Sequence, residues 1–310
     1  MSTDSLTALA STVEFTLSLP RAYTATDVLS FHARDKDALS EIVGDGRIRK
    51  ALLLANLPTV IDIRLDPSLE NARCLVLADG PITPDMQSQA CHVANSMLGL
   101  HLDPDAFIDV VKADPVFGPL TARQQGLRIA QSASIFEALT WAIMGQQINV
   151  AFAVSLRRSF IRLAGREHSS GLICYPAPAD ASRIDVEALT SKQFSRAKAE
   201  TLLRLADLLA SGRIDLQPGP SNSLDNICAA LLAVKGIGPW TVNYALLRGY
   251  GYADCSLHGD VAVRAAIGNL WGHETRPTIA EAEALLARYR PHRTMAAAHL
   301  WASLNKTSNY

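Results

Sequence analysis

The residues best placed to do chemistry surround one turn, in residues 231–245 (L-L-A-V-K-G-I-G-P-W-T-V-N-Y-A). The pattern predicts a helix that starts near Ser223 and ends at Gly236, and a second helix that opens at Pro239. Proline suits that first helical position because its missing N–H would have had no partner there. Two glycines bracket one aliphatic residue, Ile237, which can anchor the turn while the glycines let a ligand approach the backbone. The N–H groups that begin the second helix, with the positive end of its dipole, can then bind a phosphate without a side-chain charge. Taken alone, a G-x-G between helices is equally an ordinary helix ending.

Composition limits what else the chain can be. Its 310 residues are 48% hydrophobic and 19% charged, enough for two or three units with real cores and unlike a disordered chain. No apolar run approaches the ~18 residues of a bilayer span. Met1 to Ala10 lacks a basic segment followed by an apolar one, so secretion is not expected. The cysteines at 74, 91, 174, 228 and 255 are odd in number, far apart and without a C-x-x-C pair. That pattern excludes a disulfide framework, a cysteine zinc site and a cysteine-ligated iron–sulfur cluster, and suggests a reducing cytosol. The net charge of −1 conceals an asymmetry: residues 1–120 carry 9 Lys+Arg and 16 Asp+Glu, residues 121–310 carry 20 and 14. An arginine-rich remainder suits a polyanion partner, although an unevenly charged solvated surface looks the same.

Periodicity indicates the elements that must hold the turn. Residues 13–19 (V-E-F-T-L-S-L) alternate as a half-buried strand does. Residues 49–55 and 59–65 read as two more strands, joined by a turn holding Asn56 and Pro58, and residues 24–43 are mixed, with a short helix. From Ile129 the pattern turns helical. Ser132-Ala133-Ser134 offers an N-cap and Glu137 a first-turn acid ahead of F-E-A-L-T-W-A-I-M-G-Q-Q-I. Residues 152–163 form an amphipathic helix bearing arginines. Residues 193–210 form another, ended by Ser211-Gly212, and 280–289 and 293–304 are shorter helices. Residues 174–181, with Pro176 and Pro178, read as a loop. The expected fold class is α+β: a small antiparallel-sheet domain over residues 1–115, then an all-helical domain over 116–310.

Segments on both sides of the turn extend the signal. Ahead of it stand Phe136-Glu137-Ala138 and Ala142-Ile143-Met144-Gly145-Gln146-Gln147-Ile148. Behind it stand residues 254–264 (D-C-S-L-H-G-D-V-A-V-R), then Arg290-Pro291-His292-Arg293 and His299-Leu300-Trp301. In this order they resemble the helix-hairpin-helix DNA glycosylases, most closely the bacterial members that release 3-methyladenine. The match runs over residues 130–305; the front third matches in layout more than in residues.

The resemblance implies a helical domain with a central cleft. It also implies an enzyme of base excision repair that flips a damaged nucleotide from duplex DNA and hydrolyses its N-glycosidic bond. It places the catalytic carboxylate at Asp260. Breaking that bond builds oxocarbenium-like charge on the sugar, which an anion stabilises while positioning a water. The commoner role for an aspartate at a helix start is a cap. The resemblance puts Trp240, Tyr244 and Trp301 around the base, where aromatic faces attract a cationic alkylated purine. Such a base leaves readily, so no strong general acid is required. Gly236, Gly238 and Thr241 would contact phosphate. Gln146 and Gln147 would meet the DNA, with Gln147 where the similar enzyme inserts a leucine into the duplex. The main-chain carbonyls of Leu232, Val234 and Ile237 would hold a structural Na+ or K+, with no cofactor for catalysis. Trp240 stands where bifunctional members carry a nucleophilic lysine, so the chain should be monofunctional. Asn149, His258 and Gly259 depart from the similar enzyme, with consequences for substrate range.

Two other readings stay open: a non-catalytic helix-hairpin-helix DNA-binding protein, and a glycosylase for deaminated or oxidised bases. The expected partner is double-stranded DNA with a damaged base. No membrane is involved, and the chain is expected to act as a monomer in the cytoplasm, at the nucleoid.

Overall fold

The computed structural model describes residues 11–305; Met1 to Ala10, on which the expectation about secretion rests, lie outside the described residues. Five strands, β1 (Ser11–Ser18), β2 (Glu41–Gly44), β3 (Arg47–Leu54), β4 (Leu57–Leu65) and β5 (Asn71–Ala78), form an antiparallel sheet in the order β1-β5-β4-β3-β2. Turn chemistry sets the register. Asp45 and Gly46, both at positive φ, join β2 to β3, and Ala55 (φ 45°) and Asn56 (φ 68°) join β3 to β4. Two-residue turns with both residues at positive φ match the right-handed twist of the strands they connect. Pro58 therefore lies inside β4, opposite Leu53, and not in the turn where the sequence suggested it. The short helix expected before β2 is Thr26–His32.

The chain divides into two compact units, but not at residue 115. One comprises the residues up to Pro20 with Leu29–Asn95 and Met144–Leu216; the other comprises Arg21–Val28, Ser96–Ile143 and Gln217 onward. Ion pairing explains why a helical stretch joins the sheet. Helix Val150–Ala164 carries Arg157, almost wholly buried, whose Nη2 donates to Glu41 Oε2 at 2.9 Å. Arg158 pairs with Asp35. Lys50, fully buried on β3, and His32 also face the Glu41 carboxylate, at 3.4 and 3.0 Å. Burial would raise the Glu41 pKa; Lys50, Arg157 and His32 together hold it well below the ordinary range. The chain after that helix is stitched to the sheet as well, with Ile173 N–H donating to the Leu39 carbonyl and Tyr175 N–H to that of Ala51. Residues 174–181, expected as a loop, contain the end of a two-residue strand, Ile173–Cys174, and a helical turn, Pro178–Ala181.

The second unit is helical. Its core joins Phe107 and Phe117 to Leu247, Cys255, Leu257, Val263, Ile267, Leu286, Met295 and Leu300, all buried. The helices of this unit include those of the turn, Leu224–Leu232 and Pro239–Ala245, then Val261–Trp271, Ile279–Ala287 and Arg293–Asn305, the last three contributing to this core. Side chains set their starts. Ser223 caps the first, Asp260 the third, and Thr278 with Glu281 forms a capping box on the fourth.

Candidate active site

The hairpin forms as its residues dictate. Ile227 and Leu231 seat the first helix, Ala233 N–H and Val234 N–H close its end, and Ile237 N–H donates to the Val234 carbonyl at 3.0 Å. Val234 and Ile237 are the buried anchors. Gly236 sits at φ +96°, a conformation that a β-carbon would strain. Gly238 is the extended N-cap of the second helix, its carbonyl taking the Val242 N–H at 3.1 Å, and Pro239 follows at the first helical position. A β-carbon built on Gly238 meets nothing within 4 Å, so this edge of the hairpin is open to a large ligand. Thr241, expected to offer a hydroxyl to phosphate, is buried at 1% exposure in the hairpin.

Asp260 ends a tight turn in which its N–H donates to the Leu257 carbonyl at 2.9 Å. Its Oδ1 accepts the N–H groups of Ala262 (2.9 Å) and Val263 (3.0 Å), the cap that its position suggested. The same oxygen accepts the indole N–H of Trp301 at 3.1 Å, and Oδ2 accepts that of Trp240 at 2.9 Å. Capping and a further role are therefore not alternatives. The helix start fixes one oxygen, and two tryptophans, 20 positions before Asp260 and 41 after it, hold the carboxylate from other elements. All three side chains are half-buried. Tyr244, also expected around the base, is buried; its ring lies 5.5 Å from that of Trp240, tilted by 37°. It supports the tryptophan. The Arg248 guanidinium lies 5.6 Å from the centre of the Trp301 ring.

Sequence reasoning missed the bonds that bring Trp301 to Asp260. Arg293, first residue of the last helix, makes a two-pronged contact with Asp254, Nε to Oδ1 at 2.6 Å and Nη2 to Oδ2 at 2.9 Å. Thr294 Oγ1 accepts the Cys255 N–H at 2.8 Å and donates to the Tyr252 carbonyl at 2.7 Å, while Thr294 N–H donates to Ala253. Forked, charge-assisted bonds of this kind contribute roughly 1.5–3 kcal/mol. They clamp the helix bearing Trp301 onto the segment that leads into Asp260. The Cys255 thiol beneath them is pushed up to about 12 by burial, so it is not a nucleophile.

Gln146 and Gln147 follow helix Ile135–Gly145, which is capped by Ser134 Oγ on Glu137 N–H at 3.1 Å. Gln147 is exposed at φ +56°, and Asn149 Oδ1 caps the next helix on Phe152 N–H at 2.9 Å. Among the described residues no three His, Cys, Asp or Glu side chains are grouped to hold a metal ion. A cation at the hairpin would rest on main-chain oxygens.

Residues 140–291 match the family described as HhH-GPD superfamily base excision DNA repair protein. A DNA-3-methyladenine glycosylase of Bacillus subtilis is 24% identical over 291 residues, covering 92% of this chain and 95% of its own. The DNA-3-methyladenine glycosylase 2 of Escherichia coli is 29% identical over 187 residues, 59% of this chain and 63% of that protein. Among solved structures, a 3-methyladenine DNA-glycosylase from Archaeoglobus fulgidus shares the fold, with a TM-score of 0.78 at 20% identity over 93% of this chain and 97% of its own.

Proposed function

This chain belongs to the HhH-GPD superfamily of base excision DNA repair proteins, and we infer that it is a monofunctional DNA glycosylase hydrolysing the N-glycosyl bond of alkylated purines such as 3-methyladenine. The observation that carries the reading is the Asp260 carboxylate held at a helix start by two indole N–H groups. Oδ1 is saturated by three donors, whereas Oδ2 accepts one among the described residues. A carboxylate oxygen has two lone-pair sites, so Oδ2 is the atom left to face a sugar or a water.

With a damaged nucleotide extruded from the duplex, Oδ2 stabilises the positive charge that grows on the sugar as the base departs. It then orients the water that completes hydrolysis. The carboxylate is oriented before the reaction starts, so no rearrangement is needed as charge develops. Trp240 and Trp301 serve twice: their N–H edges fix the carboxylate, and their ring faces attract a cationic base. Because the alkylated base leaves as a neutral molecule, a general acid is dispensable. No amine stands where a Schiff-base mechanism needs one, since that position is Trp240.

The hairpin supplies the grip on DNA, Gly236 and Gly238 admitting a phosphate to the backbone. The carbonyls of Leu232, Val234 and Ile237 would hold a Na+ or K+ there: Leu232 ends its helix, where the dipole is negative, and the Val234 oxygen keeps a lone pair beside its bond to Ile237. When bound, such an ion would add positive charge near the phosphate. Carboxylate, indoles and hairpin all come from one chain, which supports action as a monomer on chromosomal DNA. Among the described residues no helix is long and apolar enough to cross a membrane. Incubation with methylated duplex DNA, followed by identification of the free bases, tests the reading. Release of 3-methyladenine supports it, and no release from DNA shown to contain that lesion overturns it.

A further inference from the structure

Lys198 stands in the first turn of helix Arg196–Ala210, where Ser195 Oγ caps its N–H at 3.3 Å. A cation in a first turn faces the positive end of its own helix dipole, so the placement needs another explanation. The side chain reaches to the end of a different helix. Its Nζ donates to the carbonyls of Met144 and Gln146, each at 2.7 Å. These oxygens end helix Ile135–Gly145 and begin the turn after it, at the negative end of that helix dipole. The contact persists although burial lowers the pKa of the Lys198 ammonium.

The Gln146 carbonyl lies in the same peptide plane as the nitrogen of Gln147. Anchoring it fixes one side of the rotation that puts Gln147 at φ +56°, a left-handed conformation costing a non-glycine residue about 1–2 kcal/mol. On the other side, Asn149 is committed to capping the following helix. Such a conformation survives only where its neighbours enforce it. Gln147 thus stands exposed at the tip of a turn held from both ends.

We propose that Lys198 is a positioning residue for the glycosylase reaction, holding the 145–149 turn so that Gln147 is presented rigidly to the stack left when a nucleotide is extruded. The inference rests on the reading above. It assigns Lys198 an effect confined to substrates whose base must be pulled from a paired stack, because an unpaired base costs less to extrude.

The experiment compares single-turnover excision of one alkylated purine in two duplexes, with the lesion opposite its normal partner or opposite an abasic analogue. Lys198→Met should slow excision from the paired duplex on the order of 10–100-fold, the cost of a misplaced positioning group, and slow the unpaired one several-fold less. Lys198→Arg, which keeps charge and donors, should retain most of the paired activity. Adding Gln147→Ala to Lys198→Met should slow the reaction little further, because both changes remove the same support. Should Lys198→Met not fold, Lys198→Gln serves in its place. An equal loss on both duplexes, or no loss on either, overturns the proposal. A wild-type protein that releases no base from either duplex would instead overturn the glycosylase reading itself.

Discussion

Asp260→Asn separates the chemistry of the site from its architecture. The carboxylate accepts three donors on Oδ1 and the Trp240 indole on Oδ2. An asparagine must keep its oxygen on the three-donor side, since the opposite orientation would set an NH2 group against Ala262, Val263 and Trp301 together. Its nitrogen then faces the Trp240 N–H across 2.9 Å, donor against donor. Leaving that indole without an acceptor costs roughly 1–3 kcal/mol, so the variant should unfold at lower denaturant than wild type. Adding Trp240→Phe removes the opposed donor and should recover most of that stability. Activity should behave differently. Losing one preorganised electrostatic contact costs about 3–4 kcal/mol, or 10²–10³ in rate, and a full charge costs more. Excision should therefore be lost in the single variant and stay lost in the double. Single-turnover release of 3-methyladenine, with urea unfolding of the four proteins in the cycle, reads both effects. Near wild-type release by Asp260→Asn would reduce Asp260 to a cap. Equal stability of that variant and wild type would refute the Trp240 hydrogen bond.

Borohydride should trap no covalent adduct with substrate DNA, strands breaking only after alkali or heat; an efficient trap would reveal an amine at work and end the monofunctional reading. Duplex affinity should fall steeply with salt. Gly238→Gln, which fills the open edge of the hairpin, should weaken binding to every sequence alike, and an unchanged affinity would remove the hairpin from the interface. His299 is fully buried against Phe107 and paired with Gln124, and burial lowers its pKa to about 4. Between its ordinary value near 6.5 and pH 4 the unfolded chain takes up a proton that the folded one refuses. Stability contributed by neutral His299 is therefore complete above that window and falls as pH is lowered through it, by about 3 kcal/mol in all. His299→Leu should flatten that part of the stability–pH curve, and an unchanged slope would show that His299 titrates normally.

Much of the frame was legible because local chemistry specified it. The Ser223 and Ser134 caps, the G-I-G turn and Pro239 lie where the spacing put them. Asp260 was legible as a residue but not as a geometry: sequence identifies an indole without saying where its N–H points. β5 left little trace because its inward residues, Ala72, Cys74, Val76 and Ala78, alternate with the outward and equally apolar Leu75 and Leu77. Charges turned inward at Glu41 and Lys50 broke the apolar period in β2 and β3. The Arg293–Asp254 clamp and the reach of Lys198 to Met144 join residues 39 and 54 positions apart, which no local pattern reveals.

The buried charges of the sheet unit also set the order of events as the chain is made. Glu41, Lys50 and Asp35 leave the ribosome about a hundred residues ahead of Arg157 and Arg158, a delay on the order of 5–20 s at typical translation speeds. Through that interval the nascent sheet holds carboxylates whose guanidinium partners do not yet exist, and removing one side of a buried pair costs about 3–5 kcal/mol. The sheet can be assembled early but completed only when helix Val150–Ala164 arrives. A fragment ending at residue 115 would be arrested in that unfinished state, with Lys50 and His32 beside Glu41 but the Arg157 and Arg158 guanidiniums missing.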